Sequence, residues 1–158
     1  AANLVNNAVN NTIYLGSVYG DRSSDKSPEF FKKMEDLLNH LYQEQHWCKG
    51  RKFTVSAPYN DKTKTELVSL YLKAGGTSRA LLLSKSCYVP GKQACGWCKA
   101  CFRKWVALQN NGLYSWHHFL NNPARAPWLS ELMPSIEAGT YRGREDAEIL
   151  RALNSVHH

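Results

Sequence analysis

Residues 12–30, TIYLGSVYGDRSSDKSPEF, carry the chain from one kind of structure into another. Thr12 to Tyr19 is rich in β-branched and aromatic side chains and mostly apolar, which suits a buried strand. Gly20 to Ser27 is a polar loop. Ser27, Pro28 and Glu29 then supply a capping hydroxyl, a preset φ at the first helical position and an acid in the first turn. Phe30, Met34, Leu37, Leu38 and Leu41 follow at helical spacing. The same signals return downstream. Phe53 to Ala57 (FTVSA) predicts a second short strand, and Thr63-Lys64-Thr65-Glu66 has the spacing of a capping box. Leu67, Val68, Leu70, Tyr71 and Leu72 extend that helix until Gly75-Gly76 stops it. Residues 1–11 read as the end of an earlier helix. Helix, strand, helix, strand, helix predicts an α/β layer with a parallel sheet. Ligands of such sheets bind beyond the C-terminal ends of the strands, so loops 20–27 and 57–63 are the expected substrate edge.

Further along, the chain reads Cys87-Tyr-Val-Pro-Gly-Lys-Gln-Ala-Cys95-Gly-Trp-Cys98-Lys-Ala-Cys101. Cys95, Cys98 and Cys101 form two overlapping Cys-x-x-Cys turns, and Gly96 eases the tight backbone. The loop through Pro90 and Gly91 lets Cys87 return as a fourth ligand. Four thiolates suit zinc, and because they fill its tetrahedron the ion is expected to be structural rather than catalytic. An iron–sulfur cluster uses the same ligand type, and a set of buried free thiols is the plain alternative. Lys85, Lys92, Lys99, Arg103 and Lys104 would offset the negative charge of the thiolates. Beyond the cysteines, the pattern predicts a helix over 99–109 and an irregular stretch over 111–143 containing Pro123, Pro127 and Pro134. A final helix is predicted over 144–156, with Ala147, Leu150 and Leu153 on its apolar side.

The 158 residues suffice for one domain with a core. The organisation expected is an α/β portion over 1–84, a four-cysteine zinc knuckle with its helix over 85–110 and a mostly helical or irregular extension over 111–158. At 43% hydrophobic and 21% charged the composition is globular and soluble, and no apolar run is long enough to span a membrane. No secretion signal is visible, so the cytoplasm is the default compartment and metal ligation is favoured over disulfides. The chain lacks an initiating Met and opens inside an amphipathic segment with Leu4, Val5, Ala8 and Val9, as if trimmed or cut from a larger product. A net charge of +7 suits anionic partners, nucleic acid among them, and equally suits an ordinary solvated surface.

Ser86-Cys87-Tyr88 followed by Cys95-Gly96-x-Cys98-x-x-Cys101-x-Arg103 resembles the C-terminal zinc motif of the 7-cyano-7-deazaguanine synthases. Gly16, Asp21 and Ser23 resemble that family's strand and Asp-x-Ser loop. Pro28-Glu29-Phe30 resembles its helix start, and Ala57-Pro58, Asp61, Lys64 and Glu66 resemble its Ala-Pro…Asp-x-x-Lys-x-Glu element. The resemblance covers roughly residues 1 to 107. It implies an adenine-nucleotide α-hydrolase (Rossmann-like) fold of the ATP-pyrophosphatase type, present in part. It also implies ATP with Mg2+, a 7-deazapurine-like substrate in queuosine biosynthesis, a scaffolding zinc and a homodimer. Such enzymes adenylate a carboxylate, let ammonia replace the adenylate, and dehydrate the amide to the nitrile with a second ATP.

Two departures qualify this. The family's Ser-Gly-Gly-x-Asp-Ser loop for ATP does not occur in the chain, and Gly75-Gly76-Thr77-Ser78 lacks its context. The family's Tyr-Pro-Asp-Cys-Arg between Asp21 and Pro28 is reduced to Ser24-Asp25-Lys26-Ser27, leaving Lys26 or Arg22 to replace the Arg. The expected activity is therefore that of an ATP-dependent ligase completed by an N-terminal half, from the same or a partner polypeptide. The alternative is a degenerate, zinc-stabilised family member serving as an interaction or nucleic-acid-binding subunit.

Asp21, Ser23, Asp25 and Lys64 are the substrate candidates. The aspartates would accept N–H bonds from a purine-like edge or simply serve their turns; Lys64 would meet a phosphate or carboxylate or simply lie exposed. His117-His118 suits surface or packing roles better than metal ligation. Trp97, Trp105, Trp116 and Trp128 suit either base stacking or a small core. Cys48 is expected to be inert.

Overall fold

A computed structural model describes residues 11–21, 23–44, 46, 50–113 and 118–156. The chain divides into two compact units, Ala1–Lys62 and Thr63–His158. The expected helix over 1–11 falls almost wholly outside the described residues, as do Arg22, Cys48, Trp116 and His117.

In the first unit, β1 (Thr12–Tyr14) and β2 (Thr54–Ser56) pair in parallel, with Ile13 opposite Val55, and α1 (Pro28–Tyr42) connects them. The parallel pairing agrees with the sequence, but the strands are shorter. The predicted strand over 12–19 ends at Tyr14 because the chain then turns. Asp21 Oδ2 accepts the Val18 N–H, and Val18 O accepts the Asp21 N–H, closing the turn. The buried Ser17 hydroxyl donates to Asn60 Oδ1 at 3.1 Å and lies 3.4 Å from the Lys26 carbonyl. Tyr19 N–H donates to the Lys62 carbonyl at 2.8 Å. These bonds draw together the loops that follow the two strands, at the edge the sequence singled out. Ser27 caps α1 by accepting the Phe30 N–H, with Pro28 at the first position, as predicted.

The outer edge of β2 is closed by polar side chains of α1. Glu35 Oε2 accepts the Val55 N–H at 2.9 Å, while Asn39 accepts the Phe53 N–H and donates to the Phe53 carbonyl, both at 2.8 Å. A strand edge satisfied in this way no longer offers a template for another strand. β2 is therefore a terminal strand.

The second unit is helical: α2 (Lys64–Lys73), α3 (Ser78–Leu83), α4 (Lys99–Gln109), α5 (Leu129–Glu137) and α6 (Arg144–Asn154). The capping box at Thr63 is complete in both directions. Helix α4 matches its predicted span and is the axis of the core. Cys101, Phe102, Trp105 and Val106 pack with Phe119, Leu129, Ile136, Ile149 and Ala152. Trp105 is buried, and Trp128 stands edge-on to Phe102 at 5.2 Å, so both are core aromatics, whereas Trp97 is half-exposed.

Three features depart from the sequence reading. Helix α3 had no counterpart in it; Thr77 caps the helix by accepting the Ala80 N–H. The stretch expected to be irregular contains α5, with Pro134 inside it. The carbonyl four residues before Pro134 belongs to exposed Ser130, where water can replace the missing N–H. Helix α6 ends at Asn154, and its buried face is turned from the expected one. Glu145, Asp146, Ile149 and Ala152 are buried, Leu150 and Leu153 are half-buried and Ala147 is exposed. The acids go inward because arginine and backbone partners await them. Glu145 pairs with Arg103 at 2.8 Å and with Arg142, and both oxygens of Asp146 accept the Arg142 N–H.

Candidate metal centre

The stretch between α3 and α4 folds around its own cysteines. Each of three sulfurs accepts a backbone N–H from a residue two, three or eight further on. Cys87 Sγ takes those of Val89 and Cys95, Cys95 Sγ that of Cys98, and Cys98 Sγ that of Cys101, all at 3.4 Å. The last bond makes Cys98 the N-cap of α4. A thiolate there meets the positive end of the helix dipole. Cys101, on the first turn of α4, is fully buried.

Gly96 has φ +84°, and a Cβ at that position would lie 1.9 Å from the Asn121 carbonyl oxygen. Only glycine satisfies both conditions. Asn121 also donates its side-chain amide to the Cys95 carbonyl at 2.8 Å, and the Leu120 N–H donates to the Ala94 carbonyl at 2.8 Å. The segment after α4 thus clamps the cysteine turn from outside, a support that the cysteine spacing does not reveal.

The four sulfurs lie within 4.8 Å of one another, and Cys95 and Cys101 are 3.9 Å apart. A tetrahedron with metal–sulfur bonds of about 2.3 Å has sulfur–sulfur edges of about 3.8 Å. The arrangement can hold one ion such as zinc with little adjustment. All four residues are free thiols rather than disulfides. Burial pushes the Cys87 thiol up, but the N–H groups of Cys95 and Val89 outweigh it and bring it down to about 6. Burial raises the Cys101 thiol well above the ordinary range, with the neighbouring Cys98 and Cys87 adding to the rise. A dication would relieve that penalty.

Four of the five basic residues expected around the cluster have separate engagements. Arg103 pairs with Glu145, and Lys99 lies 5.9 Å from the Trp128 ring centre. Lys85 donates to the Gly91 carbonyl at 2.5 Å, and Lys104 donates to the Ser84 carbonyl. Burial lowers the Lys104 pKa, partly offset by Cys101.

The substrate candidates fall in both units. Asp21, Ser23 and Asp25 lie between β1 and α1. Asp21 bonds to its own turn, Ser23 is exposed before a 3-10 turn over Ser24–Lys26, and Asp25 pairs with Lys26 at 3.2 Å. Lys64 opens α2 in the second unit and borders a small hollow with Thr65, Arg103 and Glu145. Ser17 and Asn60, absent from the sequence candidates, join the two loops of the first unit. Their only sequence signal was their place after predicted strands.

Comparison with known proteins adds a family. The model of a family described as queuosine biosynthesis protein QueC matches residues 1–112, which include all four cysteines and α4. Curated relatives include the 7-cyano-7-deazaguanine synthases of Rickettsia prowazekii (strain Madrid E), 29% identical, and Myxococcus xanthus (strain DK1622), 31% identical. Each match spans 105 residues, 64% of this chain and 44% of the relative. The chain therefore spans less than half the length of those relatives. No solved structure gives a significant match.

Proposed function

The chain belongs to the QueC family of queuosine biosynthesis proteins, and from that membership we propose that it is the C-terminal portion of a 7-cyano-7-deazaguanine synthase. The observation that carries this reading is the four-sulfur cluster lying inside the matched stretch. In this reading Cys87, Cys95, Cys98 and Cys101 hold one zinc. Four thiolates leave no open position, so the metal supplies rigidity and not a reacting ligand.

The complete enzyme converts a carboxylate on a 7-deazapurine into a nitrile using ATP and Mg2+. A carboxylate oxygen is a poor leaving group; adenylation makes it a good one for ammonia to displace, giving the amide, and activation of the amide oxygen by a second ATP lets it leave to give the nitrile. The loops joined by Ser17 and Asn60 form the substrate edge of a partial adenine-nucleotide α-hydrolase layer. Asp21, Ser23 and Asp25 would bind the base there; Lys64, at the start of the second unit, would bind an anionic group. Because α1 closes the outer edge of β2, further strands would join beside β1. The ATP loop missing from this sequence would come with them, in the same polypeptide or a partner, and the completed enzyme would pair as a homodimer.

The test is ATP-dependent conversion of 7-carboxy-7-deazaguanine to the nitrile by this chain together with a family N-terminal half carrying Ser-Gly-Gly-x-Asp-Ser. Activity from the mixture but from neither part supports the reading. No activity from a folded, zinc-loaded complex favours the degenerate-subunit alternative. Metal analysis is the companion measurement: about one zinc per chain is expected. Cys98→Ser should lower it, and unchanged zinc in that variant would remove Cys98 from the ligand set.

A further inference from the structure

Within the second unit, a cleft of about 350 Å³ opens beside the cysteine turn, between the end of α3 and the flank of α4. That volume is in the range of small-molecule sites. Its basic groups are Lys85, Lys92, Lys104 and His118, and among the described residues no aspartate or glutamate lines it. Leu83 and Phe119 supply an apolar wall. The walls are built: Lys104 Nζ bonds the carbonyl and hydroxyl of Ser84 at the end of α3, and Phe119 bridges to Ala94 of the cysteine turn.

All three lysines have a plainer use, as counter-charges for the four thiolates. The positions of their heads argue against that as the whole account. Lys85, itself a lining residue, reaches the Gly91 carbonyl, and Lys104 reaches the Ser84 groups, which places its ammonium on the wall that Ser84 lines. Lys92 is exposed and, among the described residues, has no ion pair. Three lysines lining one cleft, with no carboxylate among its described lining residues, suit a compact polyanion. We propose that this cleft binds a diphosphate-bearing small molecule, with Lys85, Lys92 and Lys104 on the phosphates and Leu83 and Phe119 beside the rest. The proposal does not rest on the enzymatic reading above, because nothing in it requires catalysis.

The test is titration of the zinc-loaded chain with inorganic pyrophosphate, followed by amide chemical shifts. Saturable binding is expected, with the largest shifts at Leu83, Lys92 and Phe119. Lys92→Gln should weaken it about tenfold, and Lys85→Gln with Lys92→Gln about a hundredfold, since each charge-assisted bond is worth roughly one decade. Zinc content should stay unchanged in both variants. Lys99→Gln, outside the cleft, should leave the affinity as it is. Tighter binding of ADP than of pyrophosphate, lost in the same variants, would assign the apolar wall to the nucleoside. The proposal is overturned by absence of saturable pyrophosphate binding, or by equal weakening in Lys99→Gln. Binding of single-stranded RNA alone, with a steep salt dependence, would overturn it in favour of a nucleic-acid surface.

Discussion

Glu145→Gln should destabilise the second unit by about 3 kcal/mol, and the environment of the carboxylate sets that figure. The Glu145 side chain is 7% exposed, and its two partners, Arg103 and Arg142, are 16% and 12% exposed. Three such groups are too buried for water to screen them as it screens a surface pair, which is worth roughly 0–1 kcal/mol. Removing the charge leaves two guanidinium groups beside a neutral amide, and breaking a buried pair in this way costs about 3–5 kcal/mol. The glutamine oxygen still accepts one hydrogen bond, so the low end is expected. Against a typical total of about 5–15 kcal/mol the loss is large. Urea unfolding of the zinc-loaded chain, followed by tryptophan fluorescence, measures it. Arg144→Gln is the control: it removes a half-exposed pair with Glu66 at 3.2 Å and should cost less than about 1 kcal/mol. If Glu145→Gln costs no more than Arg144→Gln, the buried triad is not a stabilising element and the account of α6 fails.

Gly96→Ala should prevent the cysteine turn from closing, because the new methyl meets the Asn121 carbonyl at 1.9 Å; normal zinc content and an unchanged melting curve would contradict the geometry. Asn39→Ala removes both bonds to the Phe53 backbone and should cost about 1–3 kcal/mol while speeding exchange of the Phe53 amide; an unchanged exchange rate there would count against a closed β2 edge. Zinc affinity should fall steeply below pH 6. The Cys87 thiol is lowered from 9.0 to about 6, so its thiolate favours the fold fully above pH 9 and ceases to do so as pH drops through 6. Cys101 is shifted the other way, so loading zinc at neutral pH should release its proton. A competition titration with a chromophoric chelator across pH 5 to 8 reads both effects, and a flat profile would refute them.

The local signals in the sequence carry through to the structure, and the departures lie where tertiary contacts override them. Ser27 and Thr63 cap their helices as predicted because a cap is decided within four residues. The cysteine cluster was legible for the same reason: Cys95, Cys98 and Cys101 lie so close in sequence that few geometries are open to them. By contrast, the strand over 12–19 stops at Tyr14 because Ser17 is claimed by Asn60, a residue 43 positions away. Helix α6 offers Ala147, Leu150 and Leu153 as a plausible apolar face by period alone. The chain instead buries Glu145 and Asp146, and nothing in the period announces that Arg103 waits 42 residues upstream. Pro134 masked α5, since a proline inside a helix reads as a stop until the exposure of the orphaned carbonyl is known.

The position of Arg103 shows how the cysteine motif and the chain beyond residue 112 depend on each other. The family match stops at 112, yet the arginine that closes the motif forms its buried ion pair with Glu145, outside the match. Cys101 is likewise a core residue as well as a candidate ligand: it packs in one cluster with Phe102, Trp105, Ile136 and Ile149. Asn121 and Leu120 hold the Cys95 turn from the same outer segment. The cysteine cluster and the extension are therefore one packing unit, and the effect of removing a bound metal should not be confined to the knuckle. Chelation should leave a raised, buried Cys101 thiol in the core and release α4's N-cap, so α5 and α6 should lose exchange protection together with residues 87–101. A chelated chain that frees only 87–101 while α6 stays protected would show instead that the extension stands independently of the cysteines.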